Sequence, residues 1–158
     1  MGIQSMEVKY VEQKHICGFS TITNNEAEMT AGKGKIPALW QKFDNAIPVD
    51  YQGGERVYGV YSDYESDHTG NFKVLAGFDG NLDDKTLSED VSVETVTIPS
   101  GKYLVFSHKG EMPQIAIDAW TSVWQYFTEG KPEHTRTFGV DFEHYPNANQ
   151  IDVYIAVN

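Results

Sequence analysis

The strongest constraint on this chain is that its order of elements occurs twice. WQKF at 40–43 is answered by WQYF at 124–127, and Tyr58-Gly59-Val60 by Phe138-Gly139-Val140. FKVLAGF at 72–78 has the outline of IDVYIAV at 151–157, and Phe19-Ser20 that of Phe106-Ser107. Each match is short, but all keep the same order inside blocks that read strand, helix, strand, strand. That is the mark of a duplicated unit. Repeat 1 covers about 5–79 and repeat 2 about 91–158.

The blocks follow from local pattern. Met6–Val11 and His15–Ile22 read as extended, and a turn-rich run ending in Ala31-Gly32-Lys33-Gly34 follows them. IPALWQKF places Pro37 in a first helical turn, with Ala38, Leu39, Lys42 and Phe43 forming a modest amphipathic face. Arg56–Tyr64 and Asn71–Phe78 form a hairpin across ESDHTG, and DGNLDDKTLSED at 79–90 reads as a polar acidic linker. Val91–Ile98 and Lys102–His108 are extended on either side of Pro99-Ser100-Gly101. Pro113–Phe127 is the clearest helix: Ala116, Trp120, Val123, Trp124 and Phe127 share one face, and Glu129-Gly130-Lys131-Pro132 stops it. Thr135–Tyr145 and Gln150–Val157 close the chain as a hairpin. The expectation is a single α+β domain over 1–158, with tandem strand-helix-strand-strand repeats related by pseudo-twofold symmetry. Each half contributes an antiparallel sheet backed by one helix, and the groove between the halves is the natural ligand site.

Bulk properties exclude several classes. With 40% hydrophobic and 13% aromatic residues the chain is globular, and its longest apolar runs are too short to span a membrane. MGIQSMEVKYVEQ lacks the basic start and apolar stretch of a secretory signal, so a cytoplasmic location is expected. Cys17 is the only cysteine and reads as a small buried hydrophobe. Twelve basic against 23 acidic residues give a net charge of −11, the wrong sign for direct nucleic-acid binding and one that concentrates cations. The histidines show no HxH or HxxxH pairing, so no metal site or cofactor is expected. GKGK at 32–35 lacks the spacing of a phosphate loop, and Ser20 and Ser107-His108 lack a nucleophile elbow.

One acid stands out. Glu143 lies between Phe142 and Tyr145 on the penultimate strand, two residues from Asp141. On a strand that spacing puts both acids on one face, where they are either the wet face or a pair fit for acid–base work. The alternative for Glu143 is a groove carboxylate that waits for a cation.

The double block, the Trp-bearing helix and the closing Phe142-Glu143, Tyr145 … Ile151, Val153, Ile155-Ala156-Val157 hairpin resemble the GyrI-like effector-binding family, over roughly residues 5–158. This is the ligand module of multidrug-responsive regulators of the AraC and MerR types. The resemblance implies an aromatic groove between the halves, floored by a glutamate at the position of Glu143, in which lipophilic, cationic small molecules bind. Candidate ligand-binding residues are then Glu143, Tyr145, Trp40, Trp120, Phe19, Phe106, Tyr58 and Tyr61, with Tyr58 favoured over Tyr61 and Trp124 assigned to the core. The 158 residues leave no length for the regulators' DNA-binding domain, so a stand-alone member is expected. Such a member sequesters ligands, acts on a protein partner such as a regulator or topoisomerase, or hydrolyses reactive small molecules with Glu143 as general base.

The chemistry suits a cation. Ring faces supply stacking area and about 0.5–2 kcal/mol of cation–π attraction per good contact. A carboxylate adds a Coulomb term that a low-dielectric groove magnifies. An empty site of this kind holds an ionised carboxylate without a partner, which is costly and raises its pKa.

Overall fold

The computed structural model describes residues 5–30, 34–47, 49–65, 70–80, 93–111, 114–129, 135–147 and 149–158. In chain order they form β1 (Ser5–Val11), β2 (Lys14–Thr23), α1 (Asn25–Met29), α2 (Ile36–Ala46), β3 (Val57–Ser62), β4 (Phe72–Phe78), β5 (Glu94–Ile98), β6 (Gly101–Lys109), α3 (Gln114–Glu129), β7 (Asp141–Asn147) and β8 (Gln150–Ala156). The strands make one eight-stranded sheet in the order β1-β6-β8-β7-β3-β4-β2-β5. Every neighbouring pair is antiparallel.

That order reads the same from both ends once each strand is exchanged for its repeat mate. From one edge come β1, β6, β8, β7; from the other come β5, β2, β4, β3. The first strand of each half therefore sits on the edge of the other half, β1 on β6 and β5 on β2. The antiparallel sheets of the two halves are continuous, because β3 and β7 pair across the middle. We call this central pair the seam.

The sheet is buried on both faces, so β3 and β4 read as near-continuous apolar runs rather than alternating ones. On one face α2 covers a core of Phe19, Leu39, Phe43, Val74 and Phe78, and α3 covers one of Leu104, Phe106, Ala119, Val123 and Val153. The opposite face has its own core, including Ile16, Tyr58, Val60, Leu75, Tyr103 and Phe142. The two helices thus lie side by side on one face, over the two halves of the sheet.

Three local outcomes differ from the sequence reading. The turn-rich run contains α1, a short helix capped by Asn24, whose Oδ1 accepts from Ala27 N at 2.7 Å. From α1, the Glu28 carboxylate accepts from Lys35 N (2.8 Å) and Ile36 N (3.1 Å), so it caps α2 in place of a local side chain. The closing hairpin begins at Asp141 rather than Thr135. Phe138 takes a positive φ of 54° that breaks the strand, and Arg136 makes only an isolated bridge to Val157. Gly139 therefore precedes β7 while Gly59 lies within β3, so this sequence match is not a spatial one. Most of ESDHTG, residues 81–90 of the linker, Pro113 and the Gly130-Lys131-Pro132 stop lie outside the described residues.

Candidate functional site

Opposed residues on antiparallel strands share a face, so register alone decides what meets at the seam. One row crosses the sheet as Phe106, Val153, Glu143, Gly59, Ala76, Phe19. Phe106 and Phe19 are each third from the centre, as their sequence match implies. At the centre Glu143 faces Gly59. A Cβ on Gly59 would collide with Glu143 Oε1 and stand 3.4 Å from Trp40 Cζ2. The missing side chain at 59 is what lets the carboxylate lie over the seam.

Glu143 is only 3% exposed. Its Oε2 accepts from Trp120 Nε1 at 2.6 Å and from the Tyr61 hydroxyl at 3.1 Å. Its Oε1 accepts from the Tyr145 hydroxyl at 2.9 Å. The rings pair across the halves: Trp120 of α3 lies 4.9 Å from Tyr61 of β3, and Trp40 of α2 meets Tyr145 of β7 edge-on at 5.7 Å. Two Trp–Tyr pairs, each drawing one ring from each half, thus enclose one carboxylate.

Burial pushes the Glu143 carboxyl above its ordinary value, and the hydrogen bonds from Trp120, Tyr145 and Tyr61 pull it part of the way back. Burial and the nearby Glu143 charge hold the Tyr61 and Tyr145 hydroxyls well above the usual phenol range, so both remain neutral donors. The expectation of an acid without any partner is corrected here: neutral donors satisfy it. Among the described residues the groups acting on it are an indole and two phenols, and none is a cation.

Asp141, two residues away, is treated differently. It is wholly buried and accepts from Arg136 Nη2 (2.7 Å), the Tyr64 hydroxyl (2.6 Å) and Ala156 N (2.8 Å). Arg136 in turn lies against aromatic rings, its guanidinium carbon 4.3 Å from the centre of Phe138. Neither acid is on a wet face. Asp141 has its counter-ion inside the protein, whereas among the described residues Glu143 has only neutral donors.

The structure brings together Glu143, Tyr145, Trp40, Trp120 and Tyr61. It does not bring Tyr58. Strand alternation turns Tyr58 to the opposite face, where it stacks on His144 at 5.0 Å, so the preference for Tyr58 over Tyr61 is reversed. Phe19 and Phe106 are on the right face but buried in the cores under α2 and α3. Trp124 packs against the α3 core. The sequence reading missed Gly59, Tyr64 and Arg136; the one available signal was a glycine inside a strand pattern, which marks close approach of another group.

Beyond Trp40 and Tyr145 a cavity of about 770 Å³ opens on the α2 side, bounded also by Asp44, Tyr51, Arg56 and Asn147. Among the described residues no helix is long and apolar enough to cross a membrane.

Comparison with known proteins agrees with this fold. A family described as integron-associated effector binding protein matches residues 7–157. An integron cassette protein from the mobile metagenome of Vibrio cholerae superposes with a TM-score of 0.85 at 38% identity, over 97% of this chain and 95% of its own. SAV2435, solved bound to tetraphenylphosphonium, superposes at 0.67 with 16% identity, over 98% and 94% of the two chains, a likeness of fold. The transcriptional regulator BrlR of Pseudomonas aeruginosa is 28% identical over 98% of this chain, and the chain spans 57% of that regulator's length.

Proposed function

The chain belongs to the family of integron-associated effector-binding proteins, and from that premise we propose that its effectors are lipophilic, cationic small molecules for which Glu143 is the counter-charge. Small-molecule binding is the coarse property that goes with the family. One observation supports a positive charge on the ligand: a buried carboxylate between two Trp–Tyr pairs whose hydrogen-bond donors, among the described residues, are all neutral.

Those donors hold the acid without neutralising it. An organic cation that enters the cage supplies the opposite charge in a low-dielectric setting and presents its apolar groups to the rings. Because stacking and one charge impose little shape, the site tolerates varied ligands of that class. The tetraphenylphosphonium of SAV2435 belongs to that protein, and for this chain it is the natural first probe. Hydrolysis with Glu143 as general base is the weaker reading, since both carboxylate oxygens already accept hydrogen bonds and a water would have to compete for them.

The test is a titration with tetraphenylphosphonium followed by tryptophan fluorescence, because Trp40 and Trp120 stand in the cage. Glu143→Gln is expected to weaken binding roughly 10- to 100-fold, the worth of a hydrogen-bonded charge. Neutral triphenylphosphine oxide should not discriminate between the two proteins. An absence of saturable binding, or equal affinity in the variant, sinks the proposal.

A further inference from the structure

The cavity of about 770 Å³ beyond the cage has the size of a small-molecule site, and the charge reading above leaves it without a role. It shares two walls with the cage. The Tyr145 ring bounds it while the Tyr145 hydroxyl reaches Glu143, and the Trp40 ring bounds it while standing edge-on to Tyr145. A ring system seated in the cavity against these two residues has the walls of the Glu143 cage beside it.

The chemistry of that far end is unlike the cage. Its lining includes a basic residue, Arg56, in a chain whose net charge is −11. Arg56 is anchored at both ends. Its Nη1 donates to the main-chain oxygens of Tyr51 (3.0 Å) and Glu55 (2.8 Å), and its backbone N donates to Asp79 Oδ1 (2.8 Å). A guanidinium carries five donors in a fixed fork and suits a carboxylate, and one fixed by main-chain carbonyls is pre-positioned for it. Asp44 of α2 bounds the same cavity. A bare cation entering it meets charges of both signs, whereas a molecule with both signs meets a partner for each.

We propose that this cavity is a second subsite in which Arg56 receives an anionic group of the ligand, so that the effector class is the aromatic zwitterion: a cationic ring system held at Glu143 with a carboxylate at its other end. This rests on the cation reading of the cage and narrows it. It separates two tasks, with Glu143 selecting the positive centre and Arg56 selecting what that centre carries.

A matched pair of dyes tests it. Rhodamine B and its ethyl ester share one cationic ring system and differ in a free carboxylate. Wild-type protein is expected to bind the acid at least as tightly as the ester, although a net negative protein disfavours added negative charge. Arg56→Gln should weaken the acid about tenfold and change the ester less than about twofold. Arg56→Lys, which keeps the charge and loses the fork, should fall between. Retained ester binding shows that each variant is folded, and if Arg56→Gln does not fold, the acid-to-ester ratio in Arg56→Lys decides. Parallel loss of acid and ester, or an acid indifferent to Arg56, overturns the subsite while leaving the cage intact. If neither dye nor tetraphenylphosphonium binds the wild type, the cation reading falls and the subsite with it.

Discussion

The two sides of the seam are built alike and charged differently. Each side offers a helix tryptophan, Trp40 or Trp120, and a strand tyrosine two residues from the central pair, Tyr61 or Tyr145. At the centre, however, the first half has Gly59 and the second has Glu143. The tryptophans follow that difference. Trp120 donates to the carboxylate at 2.6 Å, while Trp40 makes an edge contact with Tyr145. Duplication placed two equivalent positions face to face where only one side chain fits. The asymmetry is therefore steric before it is electrostatic, and two carboxylates so close would in addition repel.

The largest effect should come from making the two sides equal. Gly59→Ala puts a methyl where Glu143 Oε1 lies, and overpacking of this kind typically costs about 1–3 kcal/mol. Cation affinity should fall as well, because the carboxylate must leave its donors to make room. If the clash is the cause, Glu143→Ala should relieve it. In a double-mutant cycle by urea unfolding, the pair should then show a coupling of about 0.5–3 kcal/mol. Additive costs would mean that Gly59 is required by something other than its partner across the seam.

The tryptophans allow a finer comparison. Trp120→Phe removes one of the donors that lower the Glu143 carboxyl, and Trp40→Phe removes none. Both shed ring area, so both should weaken tetraphenylphosphonium by a similar modest factor, about 0.5–1.5 kcal/mol for an aromatic contact. Only Trp120→Phe should also move the pH at which binding sets in, and it should move it upward. An equal pH midpoint in the two variants would break the distinction between the halves.

How much of this was legible beforehand depended on whether a feature is carried by pattern or by register. The α+β class, the doubled block and the packing of a partly buried Trp124 against the α3 core follow from periodicity, which survives small errors of alignment. The cage does not. Tyr58 and Tyr61 are both aromatic and three residues apart, so they point to opposite faces, and nothing local says which face the helices cover. The WQKF and WQYF match pairs Trp40 with Trp124, yet in space Trp40 and Trp120 have the equivalent places at the seam. Arg136 was invisible for a different reason: its partner Asp141 is near in sequence, but the irregular stretch around Phe138 brings them together. Exchange of β1 and β5 between the halves is likewise a matter of pairing, and sequence similarity between the repeats carries no trace of it.

The smallest expected effect is in stability, and its sign follows from burial. The Glu143 carboxyl is held above its ordinary value of 4.5, so the folded protein binds this proton more tightly than the unfolded chain does. The favourable contribution is then fully present below the unfolded value and is lost as pH rises through the folded one. Glu143→Gln does not titrate, so its stability relative to wild type should improve across that window and level off above it, as urea midpoints at successive pH values would record. Cation binding should run the other way. The ligand needs the ionised acid, so affinity should rise about tenfold per pH unit below the folded value and flatten above it. Because Gly59, opposite Glu143, brings no second acid to the centre of the seam, the rise should have the slope of one proton. A flat profile would mean that the ligand does not depend on the ionised Glu143, and that the two sides of the seam do not differ in the charge they offer it.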